Sequence, residues 1–265
     1  MRLVRFRKNK RTQPAWGWVD GGRVGPLDGH PFHEYRRREA ELPLEGVTLL
    51  PPVTPTKIVC LGRNYAAHAA EHGADVPEIP LIFLKPPSSV IGHGETIRLP
   101  PQSERVEHEA ELAVVISRQA RWVPPAQSED VILGYTIAND VTARDLQTRD
   151  GQWTRAKGFD TFCPLGPWIE TRLDPSDVVV TCSVNGQMRQ MASTRDLVFP
   201  VPQLVAFISS VMTLEAGDLI LTGTPAGVGP LLDGDEVTVE IEGLGTLTNP
   251  VRAALPAAEH DRQPA

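Results

Sequence analysis

The chain has only three cysteines, Cys60, Cys163 and Cys182, and none stands at the spacing of a redox or zinc-binding pair. An odd count without paired spacing argues against a disulfide framework, so reduced, buried thiols are expected. Long apolar runs are lacking too. No stretch approaches membrane-spanning length, and the basic start MRLVRFRKNKR is not followed by the apolar segment of a secretory signal. The expected setting is the cytoplasm, without a membrane partner. Net positive charge is also missing: 26 basic residues against 33 acidic ones leave −7, which argues against nucleic acid or anionic lipid as the main partner. An anionic ligand must then be met by cations gathered at one place. Neither a tandem repeat, nor a Gly-Lys-Ser/Thr phosphate loop, nor a dinucleotide fingerprint is present.

What is present is a composition of 41% hydrophobic and 22% charged residues over 265 positions, enough for one large core with an appendage. LVRFR and AWGWVD alternate between polar turns, which predicts a small β-rich domain over residues 1–52, with Pro51, Pro52 and Pro55 forming the link. From 53 to 252, longer apolar strands such as LIFLK and ELAVVI predict a catalytic body of α+β, β-rich class. Helical spacing is confined to residues 64–72, a segment after Thr142, and PVPQLVAFISSVMTL, where Leu204, Phe207, Ile208, Val211 and Met212 repeat as core positions. Strands are expected near 219–222, 236–241 and 245–248. The polar, Ala- and Pro-rich tail, 253–265, is expected to be disordered.

In VEHEAELAVVIS, strand alternation puts Glu107, Glu109 and Glu111 on one face and Val106, His108, Ala110, Leu112 on the other. The flanking aliphatic residues predict a strand entering a core, where carboxylates need a cation. Asp140 ends another apolar run, VILGYTIAND, and its polar end faces the same place in this reading. Two glutamates at i, i+2 and an aspartate make an all-oxygen set suited to Mg²⁺ or Mn²⁺. The competing reading answers the glutamates with arginines such as Arg63 or Arg144.

GRNYAAHAAEHG offers Asn64 as helix N-cap and Gly73 as stop for a small exposed helix. His68 and Glu71, three apart, would share a face as a general-base pair. The letters also spell H-x-x-E-H, in which His68 and His72 would bind zinc and Glu71 would activate water, as in a metallopeptidase. Gly73 directly after the second histidine speaks against that reading. In a third reading these are ordinary exposed polar residues on a short helix.

After Asp140, Thr142 and Asp145 stand at capping-box spacing, which would put Arg144 and Gln147 on one face of a short helix. Lys157, between Ala156 and Gly158, is a further cation within reach. The loop TGTPAGVGP offers backbone amides and the Thr224 hydroxyl to an oxygen ligand, or simply a tight turn.

The segments GRNYAAHAAEHG, FLKPPSSVIGHGE, VEHEAELAVVI, YTIANDVTARDLQ, AKGFDTFCPLGPW and GDLILTGTPAGVGP together resemble the fumarylacetoacetate hydrolase family, in its short bacterial form with a small N-terminal domain. The resemblance implies a mixed β-sheet roll with a barrel-like core, a homodimer, and a metal site made by Glu109, Glu111 and Asp140. It implies Mg²⁺ or Mn²⁺ there, with Ca²⁺ able to stand in within a crystal. Lys157, Arg144, Gln147 and Thr224 are implied as groups around the substrate, and His68 with Glu71 as a water-activating pair on a lid helix. The expected substrate is a small 2-oxo or 2-hydroxydienoate dicarboxylic acid of aromatic catabolism. The expected reaction is acylpyruvate C–C hydrolysis or isomerisation of the 2-hydroxyhepta-2,4-diene-1,7-dioate kind, with oxaloacetate-type decarboxylation as the alternative on the same site.

Overall fold

The computed structural model describes residues 1–9 and 11–254. The expected tail falls largely outside them; its first residue, Ala253, closes the strand Gly245–Ala253, and the Ala254 amide donates to Leu99.

Strands dominate, as the α+β, β-rich expectation has it. In a 13-stranded mixed sheet, ten strands run from the edge strand Tyr35–Arg37 through Arg23–Gly29, Ala15–Asp20, Arg2–Arg7, Cys163–Glu170, Ile132–Asn139, Ala110–Ile116, Leu219–Leu221 and Ile58–Gly62 to Leu81–Lys85, and Leu42–Pro43, Thr48–Leu50 and Val90–Ile91 pair off this path. That order has two ends. Among the described residues the sheet therefore does not close, and the barrel-like core implied by the resemblance is an open sheet. A five-stranded sheet, in the order Ile97–Leu99, Gly245–Ala253, Glu236–Ile241, Val179–Val184, Gln187–Ser193, forms a second layer. The N-terminal strands join the larger sheet directly, because Arg2 and Leu3 pair antiparallel with Glu170 and Ile169.

The strand Ala110–Ile116 is buried along its whole length. Leu112, Val114 and Ile116 belong to the core shared with the five-stranded layer, whereas Ala113 and Val115 belong to the core on the opposite face. A strand covered on both sides carries an unbroken apolar run, as this one does after Glu111. The helix Val201–Val211 supplies Leu204, Val205 and Ile208 to the first core.

Several local expectations fail, and Val211, expected as a core position, is half exposed at the end of its helix. Asn64 is not the N-cap of the helix Ala66–Glu71; Tyr65 holds that place without a side-chain cap bond. The Asn64 carboxamide instead donates to the Phe199 and Thr222 carbonyls, at 3.0 and 2.8 Å, and accepts from the Phe199 amide. Burial explains the difference, since those backbone groups have no water to turn to. The capping box also does not form. The helix Arg144–Asp150 begins after Ala143, the Thr142 hydroxyl faces Glu109, and Asp145 accepts from the Ser103 hydroxyl.

Candidate active site

The acidic segment is not one strand. Val106–His108 pairs with Thr142–Ala143 and Gly229–Pro230 in a small third sheet, Ala110–Ile116 joins the large sheet, and Glu109 occupies the break between them. That break separates the roles of the three glutamates. Glu107 is fully buried and answered by Arg105 and Arg144, at 2.6 and 2.7 Å, so it has the arginine partners of the competing reading. Glu109, Glu111 and Asp140 instead converge, each offering a carboxylate oxygen within 4.8 Å of the others.

Cations surround this trio. Lys157 Nζ lies 2.9 Å from Glu109 Oε2 and 2.7 Å from Asp140 Oδ2; Arg144 Nη2 lies 2.6 Å from Glu109 Oε1. Burial would raise the Glu109 pKa, but Lys157 and Arg144 outweigh it and hold the carboxyl below its usual range. The same partners act back on Lys157: burial would lower its pKa, and Asp140 and Glu109 reverse the sign. Lys85, fully buried at the end of Leu81–Lys85, gives a second ammonium contact to Asp140, 2.6 Å from Oδ1. Arg63, the other arginine considered for the glutamates, makes no ion pair among the described residues.

Glu111 is the exception. Its Oε2 accepts from the Gly223 amide at 2.7 Å, while its Oε1 is buried without a partner among the described residues. Burial, then the charges of Asp140 and Glu109, push its pKa well above the ordinary carboxylate value. A buried orphan oxygen beside two further carboxylates is costly unless a cation completes it. With only oxygen donors, the trio fits a hard divalent cation, and these three residues could hold one.

A cleft of about 400 Å³ opens in front, lined by Arg63, His68, Glu109, Arg144, Gln147, Lys157 and Thr224 among others. Gln147 accepts from Arg144 Nη1 at 2.6 Å, so these two share a helix face as expected. On the short helix, His68 is buried rather than exposed, with Nδ1 3.3 Å from Glu71 Oε2. The Glu71 carboxylate also accepts from the Gly227 amide at 3.0 Å, which ties the helix to the Thr224 loop. Gly227 has φ +99°, and a Cβ there would lie 2.1 Å from the Arg189 carbonyl oxygen, so the loop passes that strand without room for a side chain. His68, Glu71 and His72 form a second trio with ligand atoms within 4.8 Å. The helix ends at Glu71, however, leaving His72 as its C-cap.

Of the nine residues with expected metal, substrate or proton-moving roles, His68, Glu109, Arg144, Gln147, Lys157 and Thr224 line the cleft, Glu111 and Asp140 converge on Glu109, and Glu71 contacts His68. Two neighbours were not singled out. Lys85 had a signal, a lone cation ending an apolar strand, which can be buried only against a carboxylate. Gln190 had none, because it sits in the polar run QMRQMAS; yet it is fully buried, between the acidic segment and Thr224.

The sequence matches the family described as Fumarylacetoacetate (FAA) hydrolase C-terminal over residues 57–252, and Rv2993c-like, N-terminal over 1–52. A mitochondrial oxaloacetate tautomerase of Rattus norvegicus is 44% identical over 286 residues, covering 95% of this chain and 91% of that one. The crystal structure of 2-hydroxyhepta-2,4-diene-1,7-dioate isomerase from Mycobacterium marinum is similar, with TM-score 0.88 and 47% identity over 97% of this chain and 100% of the other. So is maleylpyruvate hydrolase from Sphingobium sp. SYK-6 in complex with manganese (II) ion and pyruvate, with TM-score 0.79 and 33% identity over 96% and 100%. With its whole body matched by the family and its site residues gathered in one cleft, the chain belongs to the fumarylacetoacetate hydrolase family and is an enzyme of its hydrolase and isomerase group.

Proposed function

We propose that Glu109, Glu111 and Asp140 hold Mg²⁺ or Mn²⁺, and that the enzyme acts on a small 2-oxo or 2-hydroxydienoate dicarboxylic acid. The observation that carries this reading is the buried Glu111 Oε1, without a partner among the described residues, beside two further carboxylates behind the cleft. The manganese and pyruvate in the Sphingobium relative support the same pairing of metal and 2-oxo acid. A divalent cation at this place would polarise the 2-oxo oxygen and favour the enolate by several kcal/mol.

The chain's own residues supply the rest. Lys157, held by Glu109 and Asp140, stabilises negative charge as it develops on the substrate. Arg144, Gln147 and Thr224 orient the substrate carboxylate from the cleft wall. Arg63, the lining arginine without an acidic partner among the described residues, is the counter-ion for a second carboxylate, whereas the neighbouring Arg105 is paired with Glu107. His68, oriented by Glu71, takes and returns a proton.

That last pair favours reactions that need a proton moved: acylpyruvate C–C hydrolysis through an activated water, or isomerisation through a proton shuttle. Decarboxylation of an oxaloacetate-type substrate needs no base to begin and is the less favoured reading. The rat relative supports a second proton-shuttling reading, keto–enol interconversion of oxaloacetate.

The test uses EDTA-stripped protein with Mg²⁺ or Mn²⁺ restored, followed by ultraviolet absorbance on acylpyruvates, hydroxydienoates and enol-oxaloacetate. Metal-dependent loss of absorbance on one class is expected. Turnover unaffected by EDTA would sink the reading, and stoichiometric zinc with peptide hydrolysis would point instead to His68, Glu71 and His72.

A further inference from the structure

Gln190 lies in the strand Gln187–Ser193, on the edge of the five-stranded sheet, yet it is fully buried. Its carboxamide uses all of its hydrogen-bonding groups. Oε1 is 3.1 Å from the Ala110 amide and 3.0 Å from His108 Nδ1; Nε2 is 2.8 Å from the Thr224 hydroxyl and 2.8 Å from the Pro225 carbonyl.

Two of these partners fix its orientation. An amide N–H can only donate, so Ala110 requires the oxygen; a carbonyl can only accept, so Pro225 requires the nitrogen. With the amide set in this way, Thr224 Oγ1 receives a hydrogen from Gln190 and cannot give its own back. Among the described residues no other acceptor meets that hydroxyl, and Thr224 lines the cleft. Its hydrogen is left to point at whatever the cleft holds.

We infer that Gln190 is a positioning residue that makes Thr224 an obligatory donor toward an anionic oxygen of the substrate. This rests on the proposed reading of the site as one for 2-oxo acids. Through Ala110 and His108, the flanks of Glu109, the same carboxamide ties the donor to the acidic segment, so hydroxyl and carboxylates stay in register. A neutral hydroxyl forced to donate prefers a carboxylate or oxyanion over a neutral carbonyl or amine.

The experiment is calorimetry on the full chain, titrating Mn²⁺ and then pyruvate into wild type, Gln190→Met, Thr224→Val and the double variant. Each single change is expected to weaken pyruvate about tenfold, the loss of one hydrogen bond to a charged group. Mn²⁺ affinity should stay within about twofold, and the double variant should be no weaker than either single one, since both act through the Thr224 hydroxyl. Losses that multiply in the double variant would overturn the inference, as would a Gln190→Met that weakens Mn²⁺ as much as pyruvate. Gln190→Met leaves the Ala110 and Pro225 backbone groups unpaired, so a folding defect has its own control. Thr224→Ser keeps the hydroxyl and should bind pyruvate like wild type, where Thr224→Val does not; equal binding by the two overturns the assignment. Wild type that binds neither Mn²⁺ nor pyruvate would instead bring down the metal reading, and this inference with it.

Discussion

Lys157 Nζ lies 2.7 Å from Asp140 Oδ2 with both groups buried, so one ammonium offsets part of the repulsion among the three carboxylates behind the cleft. Removing one partner of a buried pair costs about 3–5 kcal/mol, because the remaining charge is left uncompensated. Lys157→Met should therefore lower the melting temperature of EDTA-treated protein by on the order of 10 °C. Added Mn²⁺ should restore more of that loss than it adds to wild type, and activity should stay about 100-fold down. Thermal unfolding with and without metal checks this.

Glu111→Gln separates architecture from ligation. The side chain keeps an oxygen for the Gly223 amide and places a neutral group where the acid's pKa is already pushed up by burial and by Asp140 and Glu109. Stability in EDTA should be unchanged or slightly higher. Mn²⁺ affinity, followed by electron paramagnetic resonance of the free ion, should fall about 100-fold or more. A variant that binds metal normally would remove Glu111 from the ligand set.

Glu71 orients His68 and also holds the Gly227 amide. Glu71→Gln retains an oxygen for that amide and withdraws the charge from the imidazole, so the helix should stay docked while proton transfer slows. A fall in kcat of about 10²- to 10⁴-fold with little change in KM is expected. If His68→Ala abolishes hydrolysis but spares isomerisation, the pair serves water activation.

Arg63 has a left-handed backbone, φ 58°, in the turn between Ile58–Gly62 and the short helix. Asparagine tolerates that conformation, so Arg63→Asn removes the charge without adding strain. For a substrate ending in a carboxylate, KM should rise about tenfold or more; for its methyl-terminated counterpart it should not change. Equal effects on both would deny Arg63 a part in selecting dicarboxylates.

The three cysteines are all buried and unpaired. Burial pushes the Cys163 and Cys182 thiols up to about 12, and Cys60 well above its ordinary value. Between the ordinary thiol range and that value, the unfolded chain binds fewer protons than the folded one. Stability from these groups is therefore complete below about pH 8.5 and is lost as pH rises toward 12. A thiol-specific dye should label native protein far more slowly than unfolded protein at pH 8, and the denaturation midpoint should fall above pH 9.

Local pattern carried much of this protein. Alternation and apolar runs determined that strands would dominate, that the segment after Glu111 would be buried, and that PVPQLVAFISSVMTL would pack as a helix, because periodicity depends on near neighbours alone. The order of family motifs marked the residues that line the cleft. What alternation could not decide, and the family resemblance alone marked, was which of three alternating glutamates would point where. Regular alternation would align them, yet the break at Glu109 hands Glu107 to Arg105 and Arg144 and turns the other two toward Asp140. Nor could it decide that Asn64 would leave its helix to satisfy buried carbonyls, or that Gln190, in a polar run, would lie buried beneath Thr224. Apart from the Arg105–Glu107 contact, those outcomes depend on which donors and acceptors meet across more than 30 residues of intervening chain, and hydrogen bonds buried away from water are set by that meeting rather than by the residues next to them.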